Sequence, residues 1–354
     1  MIKNLQEKHN VHFLYIGKEE FMPPNELNDL KAAWKERIHF YFPTRFNLIR
    51  IIKRIYYKTY KKIYGFNHLD DLYPHGLTQY VNLLNQKFKF DYVVINYITL
   101  SKLFIKHWDF KKVMLSHDVF SYKTQRLNVD SFWYNITPND EAKGLRRCDT
   151  ILAMQDKEAN YFDYLYPHST IKTTYCYNEI VKHSLTNNSN ILFFSGKSQL
   201  NINGILFFIK DIWPLVVSKY PSAQLIIGGN ICESLKDITD KHIKMIGRID
   251  DETNFYSMGD IVINPIYQGT GIKIKTFESL AHGRVTIVHP HSAEGIFDIQ
   301  NCPILIGKTP ELYAQLILDF LCNKEKRVLY SKKALEYTER LNTYIQQQYI
   351  NIFK

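Results

Sequence analysis

The feature that most constrains this chain is the alternation of short apolar runs with longer segments of mixed period. Continuous Val/Ile/Leu/Phe runs separated by helical segments are typical of parallel strands covered by helices on both faces. The runs are VHFLYIG (11–17), DYVVINY (91–97), KKVMLSHD (111–118), DTILAMQ (149–155), NILFFSG (190–196), AQLIIGG (223–229), IKMIGR (243–248), DIVINP (260–265), VTIVHP (285–290) and CPILIG (302–307). We therefore predict an α/β fold.

Chain length sets the number of domains. At 354 residues the chain is too long for one ordinary hydrophobic core, so two α/β domains are expected. Periodicity is lost over residues 168–190, which end in a polar Asn/Ser/Thr cluster and therefore contain the predicted boundary. Ligands of such sheets bind at the carboxyl ends of the strands, so the chemistry is expected in the loops that follow them.

Composition limits the compartment and the partners. The 5 cysteines are widely spaced without a C-x-x-C pair, which favours reduced thiols over disulfides or a zinc site. No apolar run approaches the roughly 20 residues of a spanning helix, and the N-terminus lacks a signal-peptide core, so we expect a cytoplasmic protein. A net charge of +10 suits anionic partners such as nucleotides, phospholipid surfaces or nucleic acid.

The basic excess is concentrated in residues 45–65, which carry 7 Lys/Arg and no acid. At helical period the apolar residues fall on one side, and the basic side chains fall on the other. This pattern predicts a helix lying on an anionic membrane surface, as a peripheral contact on the inner membrane face. The contact residues would be Arg50, Lys53, Arg54 and Lys58. The alternative is an ordinary surface helix packing its apolar side on the core; no signature of a nucleic-acid recognition module accompanies the basic residues.

The segment NPIYQGTGIKIKTFESLAHG (264–283) joins a predicted strand to a predicted helix. Gly269 and Gly271 allow close backbone approach, and Lys273 and Lys275 supply positive charge, so the loop could hold a diphosphate together with the loop 195–204. About two turns into the helix, the carboxylate of Glu278 is suited to accept hydrogen bonds from a ribose diol. The segment therefore predicts a nucleoside diphosphate site.

Residues 190–296 resemble the C-terminal domain of retaining GT-B glycosyltransferases of the large family 4 group. The segments that carry the resemblance are FFSGKSQLNINGILFFIKDIWPLV, PSAQLIIGG and IKMIGRIDDETNFYSMGDIVINPIYQGTGIKIKTFESLAHGRVTIVHPHSAEGI. The resemblance implies two Rossmann-like domains facing across a cleft. They would be an N-terminal acceptor-side domain over 1–175, a C-terminal nucleotide-sugar-binding domain over 176–330, and a helix over 331–354 that crosses back to the first domain.

The resemblance also implies the roles of individual residues. His117, at the end of a buried strand, would lie beside the donor sugar, and it forms the implied catalytic set with Lys273 and Glu278. The residues implied to bind the nucleotide sugar are Gly196, Asn203, Gly247, Arg248, Ile249, Gly269, Thr270, Gly271, Ile272, Lys273, Lys275, Glu278, Glu294 and Gly295. The charges of Asp140, Glu141, Arg146 and Arg147 are expected on a helix surface and as caps.

The chain departs from the family pattern at three places. Thr270 stands where many relatives have a glutamate that touches the donor sugar, and Lys197 and Asn203 stand where many have an Arg and a Lys. The stretch MIKNLQEKHN is predicted to be the tail of a first helix, so the usual first strand is missing. Either the chain begins one strand late or the fold has lost an element.

The function implied by the resemblance is transfer of a sugar from a nucleotide-diphosphate donor to a glycan or lipid-linked glycan, with retention, in surface polysaccharide biosynthesis. No cofactor is expected, and no metal, because an Asp-x-Asp motif is absent from the candidate loops. One alternative is a non-catalytic GT-B subunit that only binds a partner. A nucleotide-sugar epimerase would need a cluster of acid/base groups that the sequence lacks, and no G-x-G-x-x-G suggests a dehydrogenase.

Overall fold

The computed structural model describes residues 5–17, 24–43, 48–186 and 188–354, without the side chains of 24–26 and 48–50. The chain divides into two compact units. Unit 1 comprises Met1–Thr174 and Gln348–Lys354, and unit 2 comprises Tyr175–Gln347. Both units have helices and parallel strands, which confirms the predicted α/β class.

Unit 1 contains two parallel sheets. Its strands are β1 (Phe13–Ile16), β2 (Ile38–Tyr41), β3 (Tyr92–Asn96), β4 (Lys111–Leu115), β5 (Thr150–Ala153) and β6 (Thr170–Thr173). Its helices are α1 (Pro24–Trp34), α2 (Leu48–Tyr64), α3 (Leu77–Phe88), α4 (Lys123–Leu127), α5 (Pro138–Leu145) and α6 (Asp156–Leu165). Strand β1 pairs with β2, while the other four strands pair in the order β3-β4-β5-β6. The described residues begin in a helical turn at Leu5, and β1 is the first strand among them.

The sequence missed two of these strands, β2 and β6. Each has only four residues and lies at an edge of its sheet, where one side of the strand needs no apolar neighbour. Strand β6 has the sequence TIKT and lies inside the segment 168–190 that we expected to be irregular. It pairs with β5 over its whole length, so the regular part of unit 1 extends to Thr173.

Helix α2 contains the basic segment, and its apolar residues are largely exposed. The exposed fraction is 59% for Ile52, 61% for Ile55 and 67% for Ile63. The helix contacts the rest of unit 1 through tyrosines instead, with Tyr57 stacked 5.0 Å from the ring of His68. Among the described residues the apolar side is thus not packed on the core, contrary to the alternative of an ordinary surface helix. The side chain of Arg50 lies outside the described residues.

Unit 2 is built on one parallel sheet with the strand order β12-β11-β10-β7-β8-β9. Its strands are β7 (Asn190–Phe194), β8 (Gln224–Gly228), β9 (Ile243–Gly247), β10 (Ile261–Asn264), β11 (Val285–Val288) and β12 (Leu305–Ile306). Its helices are α7 (Gln199–Phe207), α8 (Trp213–Lys219), α9 (Glu252–Tyr256), α10 (Ile274–Ala281), α11 (Pro310–Cys322) and α12 (Lys324–Ile352), the last of which ends in unit 1. All six strands were predicted, because each lies in a short run that is mainly apolar.

One helical stretch in unit 2 corrects an expectation. Residues Gln199–Lys219 comprise α7, a π-helical turn and α8, and their mean hydropathy of 1.4 would by length and composition alone allow them to cross a membrane. Our sequence analysis expected no such run. In the structure Phe208, Ile212 and Trp213 are at most 1% exposed and belong to the core that lies against the sheet. Of an 18-residue window in this stretch, 33% is buried inside the unit in this way, so burial accounts for part of its apolar composition.

Candidate functional site

The strand order of unit 2 creates a crevice. From β7 the chain proceeds outward to β8 and β9, then returns to the other side of β7 with β10 and proceeds to β11 and β12. The loops after β7 and β10 therefore leave adjacent strands in opposite directions, which is the topological switch point where ligands of α/β sheets bind. Most of the predicted nucleotide-binding residues lie in the loops after β7, β9, β10 and β11. Of the others, Asn203 lies in α7, Gly247 ends β9, and Lys275 and Glu278 lie in α10.

The loop after β7 leads into the N-terminus of α7. Ser198 is the N-cap, and its hydroxyl accepts a hydrogen bond from the backbone N–H of Asn201 at 3.3 Å. The amide of Asn201 donates to the carbonyl of Gly196 at 2.9 Å, which tightens the turn. Open space surrounds Gly196, and the Asn203 side chain accepts a bond from Gln199 at 2.8 Å. The turn thus leaves the backbone at Gly196 accessible to a ligand.

The two loops at the switch point are in close contact. A β-carbon at Gly204 of α7 would come 3.1 Å from the Cα of Ile266 in the loop after β10. A β-carbon at Gly229 would lie 2.2 Å from the carbonyl oxygen of Ser195, and the φ of Gly229 is +97°. Glycine is needed at both positions because backbone approaches backbone. Neither residue was predicted from the sequence. For Gly229 the signal was the two successive glycines, Gly228 and Gly229, at the end of β8.

The glycine turn after β10 has the backbone that the sequence predicted. The φ angles are +122° at Gly269 and +74° at Gly271, with Thr270 between them, and both fall in the left-handed region that favours glycine. The Lys273 ammonium donates to the carbonyl of Gly271 at 3.3 Å, so the side chain folds back over the turn. Lys273 is also the N-cap of α10. Positive charge, backbone amides and a helix N-terminus are therefore together at this point.

A buried polar network holds both ends of this turn. The amide of Asn264, the last residue of β10, donates to the hydroxyl of Thr276 on α10 at 2.9 Å. The Ser292 hydroxyl lies 3.2 Å from the Asn264 side-chain oxygen and donates to the carbonyl of Ile266 at 2.7 Å. Because all three side chains are buried, these bonds fix the turn in place. Sequence reasoning did not find them, since their roles depend on contacts between separate elements.

Glu278 is mostly buried, and Lys275 and Tyr256 hold its carboxylate. The Lys275 ammonium donates to Oε2 at 2.6 Å, and the Tyr256 hydroxyl donates to the same oxygen at 3.3 Å. Burial raises the pKa of Glu278, and the charge of Lys275 opposes that shift. Lys275 also pairs with Glu252 at 3.0 Å and lies 3.9 Å from the centre of the Phe194 ring. Lys275 thus positions a carboxylate here, and its predicted contact with the diphosphate stays a prediction.

The turn after β9 was predicted to border the nucleotide base. Gly247 has a φ of +74°, and its carbonyl accepts a bond from the N–H of Gly229 at 2.7 Å. The side chain of Ile249 packs near Gly228. Arg248 points to solvent and pairs with Asp250 at 3.1 Å, with both side chains largely exposed. The backbone of this turn is therefore tied to the end of β8, while the guanidinium is not held at the crevice.

The loop after β11 adjoins the glycine turn. His291 pairs with Glu294 at 3.3 Å, and Gly295 follows with a φ of +73°. Burial lowers the pKa of His291, and the nearby Lys273 ammonium lowers it further. The buried Nε2 of His291 has no hydrogen-bond partner among the described residues. The His291 ring thus lies partly buried beside Lys273 at the glycine turn, and it was not predicted from the sequence because histidine carries no loop signal of its own.

His117 lies in unit 1, directly after β4. Its Nε2 is 2.9 Å from the side-chain oxygen of Asn96, and its ring centre is 4.6 Å from that of Tyr97. Burial lowers the pKa of His117, with the Asp118 carboxylate opposing the shift. Both His117 and Tyr97 have positive φ angles, +57° and +69°, and such backbone strain in non-glycine residues concentrates at functional sites. Asn96 and Tyr97 were not predicted, and the role of His117 stays a prediction.

Two charges expected on the surface of α5 are buried instead. Glu141 is 1% exposed, and its carboxylate accepts hydrogen bonds from the N–H groups of Phe120 and Ser121 and from the Ser121 hydroxyl. The Arg147 guanidinium donates to the Asp70 carboxylate at 2.6 Å. The expectation was wrong for Glu141 and Arg147 because the segment after β4 and the 67–73 segment pack over this helix. Glu141 therefore anchors the backbone that follows His117.

Within the described ranges, no three His, Cys, Asp or Glu side chains form a group that could hold a metal ion.

The fold is the two-domain α/β architecture shared by GT-B glycosyltransferases of known structure. Anabaena Alr3699/HepE in complex with UDP and glucose aligns with a TM-score of 0.61 and 13% identity over 97% of this chain and 99% of that one. The sucrose-phosphate synthase tll1590 from Thermosynechococcus elongatus gives a TM-score of 0.60 at 14% identity, covering 78% of this chain and 76% of its own. At such identities the likeness shows the fold alone.

A family model matches the sequence of unit 2. Residues 189–323 match the family model described as glycosyl transferases group 1, so the crevice and its loops lie within the matched segment. A curated relative, an uncharacterized 44.6 kDa protein in the cps region of Klebsiella pneumoniae, is 23% identical over 227 residues. That match covers 60% of this chain and 54% of the relative, so the chain spans about half of the relative's length.

Proposed function

We propose that the protein is a glycosyltransferase that moves a sugar from a nucleoside diphosphate donor to a glycan or lipid-linked glycan. The observation that carries the proposal is the arrangement at the switch point of unit 2, where Lys273 folds over a glycine turn and Glu278 lies on the helix that follows. Both residues fall in the segment matched by the glycosyltransferase family model. The complexes of HepE with UDP and with UDP-glucose support a UDP-sugar as the first donor to test.

The proposed catalysis depends on the negative charge that develops on the leaving group. Departure of the nucleoside diphosphate leaves negative charge on its oxygens, and the loop amides with Lys273 would stabilise that charge as it develops. We propose that the sugar is transferred with retention and that these groups make a metal ion unnecessary. The resemblance to retaining family 4 enzymes supports retention. The cps-region relative supports a role in surface polysaccharide synthesis. A cytoplasmic location is part of the proposal.

The proposal is tested by comparing the affinities of the protein for nucleotides with and without the ribose 2′-hydroxyl. We expect UDP to bind the full-length protein about 10-fold or more tightly than 2′-deoxy-UDP, because a hydrogen bond to a charged carboxylate contributes about 1.5–3 kcal/mol. In Glu278→Ala the two affinities should become equal. Isothermal titration calorimetry measures both ratios, and release of UDP from UDP-sugars with and without EDTA measures turnover and metal dependence.

Glu252→Ala provides the matched control. It removes the other carboxylate that pairs with Lys275, at 3.0 Å, and leaves Glu278 in place. The preference for UDP over 2′-deoxy-UDP should survive in this variant. Equal affinities of the wild-type protein for the two nucleotides would contradict the proposed contact between Glu278 and the ribose. Correct nucleotide binding without any turnover would instead identify the non-catalytic subunit.

We also propose a peripheral contact between α2 and an anionic membrane. The helix has six basic and no acidic residues, and it leaves isoleucines exposed beside them. Lys58→Glu with Lys62→Glu is expected to weaken binding to vesicles containing phosphatidylserine by at least 10-fold, since each basic residue near such a surface contributes about 1 kcal/mol. Cosedimentation measures the bound fraction.

The control for the membrane contact has the same change of charge elsewhere. Lys236→Glu with Lys241→Glu alters two exposed lysines of unit 2. This variant should bind the vesicles as the wild type does, and neutral phosphatidylcholine vesicles should bind all three proteins weakly. Equal losses in both variants would mean that only net charge matters, which would remove α2 as the contact.

A further inference from the structure

Unit 1 has a cavity of about 1870 Å³ that the nucleotide site does not use. It lies where parallel strands end: Gly17 follows β1, Phe42 follows β2, and Asn96 and Tyr97 are at the end of β3. This is the edge of a parallel sheet at which ligands are held. Its remaining wall comes from α2 and from residues 70–79.

Cations and apolar side chains line this cavity together. Lys53 and Arg54 of α2 face it, so these two basic residues are placed at the cavity and not only on the outer surface of the helix. Within the described part of the chain neither of them forms an ion pair. Two carboxylates, Asp70 and Asp71, also line the cavity. Asp70 is engaged by Arg147 at 2.6 Å and by Lys102 at 3.8 Å, and Asp71 accepts a hydrogen bond from the Asn67 amide at 3.0 Å. The positive charge of Lys53 and Arg54 is therefore available for an anion.

The apolar part of the lining lies beside these cations. Ile51 is 49% exposed and Leu72 is 44% exposed, although both line the cavity. Apolar side chains left open next to two cations fit a ligand that has both an anionic group and a hydrocarbon portion. A free anion would leave the apolar surface uncovered.

The cavity also reaches the predicted catalytic residue of unit 1. Asn96 and Tyr97 line it, and the same two side chains contact His117, at 2.9 Å for Asn96 and at 4.6 Å between ring centres for Tyr97. A ligand that fills the cavity therefore extends from the cations of α2 to the neighbours of His117. Such a ligand has the position expected of an acceptor.

We propose that the cavity binds the acceptor and that the acceptor is amphipathic, with a phosphate group held by Lys53 and Arg54 and a hydrocarbon portion on Ile51 and Leu72. This inference rests on the proposed glycosyltransferase function and adds the chemical class of the acceptor. Arginine and lysine form ion-paired hydrogen bonds with phosphate oxygens, and a neutral glycan has no negative charge to complete such a pair.

The test uses octyl phosphate as the probe, below its micelle concentration, with saturating UDP so that the diphosphate site in unit 2 is occupied. Calorimetry on the full-length protein should show binding, while octyl glucoside and inorganic phosphate bind at least 10-fold more weakly. In Lys53→Ala with Arg54→Ala the affinity for octyl phosphate should fall at least 10-fold. A charge-preserving variant, Lys53→Arg, should keep it.

Lys236→Ala with Lys241→Ala is the matched control, because it removes the same amount of charge at exposed residues of unit 2 that do not line the cavity. Its affinity for octyl phosphate should remain within two-fold of wild type, and equal melting temperatures would show that both variants are folded. Equal losses in the two variants, or inorganic phosphate binding as tightly as octyl phosphate, would overturn the proposal. The ribose preference set by Glu278 is measured separately, so either inference can fail alone.

Discussion

Turnover of a UDP-sugar is expected to fall about 100-fold when Lys273 is replaced by alanine, because removing one preorganised group that stabilises transition-state charge costs about 2.7 kcal/mol or more. The ammonium lies over the glycine turn, 3.3 Å from the carbonyl of Gly271, where the departing diphosphate would gain charge. The decrease should appear mainly in kcat, since ground-state binding keeps the loop amides. Steady-state release of UDP measures it.

Lys219→Ala is the control for this prediction. Lys219 is an exposed lysine at the end of α8, and the chain enters β8 directly afterwards, so it lies at the amino ends of the strands, away from the crevice. Its replacement should leave kcat within two-fold of wild type. A Lys273→Ala enzyme with the same small change would show that the glycine turn does not hold the leaving group.

The largest expected effect on stability is at Asp260, just before β10. Its carboxylate is 1% exposed and pairs with the buried Arg284 and Arg327, each at 3.3 Å. It also accepts hydrogen bonds from the N–H and hydroxyl of Thr186, at 2.9 and 3.1 Å. Asp260→Ala is expected to lower the free energy of unfolding by about 3–5 kcal/mol, because removing one partner leaves buried positive charge without compensation. Urea denaturation measures the change.

An exposed ion pair in the same unit is the matched control. Asp319 pairs with Lys326 at 2.7 Å, with 40% and 46% of the two side chains exposed. Asp319→Ala should cost less than about 1 kcal/mol, because water screens exposed pairs. UDP affinity of folded Asp260→Ala should match that of wild type, since Asp260 lies at the opposite end of β10 from the glycine turn. Comparable losses of stability in the two variants would contradict the assigned network.

The elements found from the sequence are those whose signal is local. Every strand of unit 2 was predicted because a parallel strand covered on both faces is a run that is mainly apolar. The edge strands β2 and β6 were not predicted, because a four-residue strand with one free edge does not need a continuous apolar sequence. Gly269 and Gly271 were identified as turn glycines, and both have positive φ angles. A turn that only glycine adopts easily is visible in the sequence itself.

Residues whose role depends on a distant partner could not be found in this way. The burial of Glu141 requires the backbone at Phe120 and Ser121 to close over it, and nothing in the sequence PNDEAKGL distinguishes it from a surface glutamate. The pKa of His291 is lowered first by burial and then by the charge of Lys273, and both depend on how the loop after β11 packs. Such contacts join residues from different elements, so chain packing decides them.

The sequence by itself determined the α/β class, the glycine turn after β10 and the basic character of α2, because apolar periodicity, glycine and charge are properties of neighbouring residues. Only the tertiary structure decided that Lys275 holds Glu278, that Asn96 and Tyr97 surround His117, and that Lys53 and Arg54 face a cavity. The physical reason is that hydrogen bonds, ion pairs and burial arise between residues that folding brings together from separate parts of the chain.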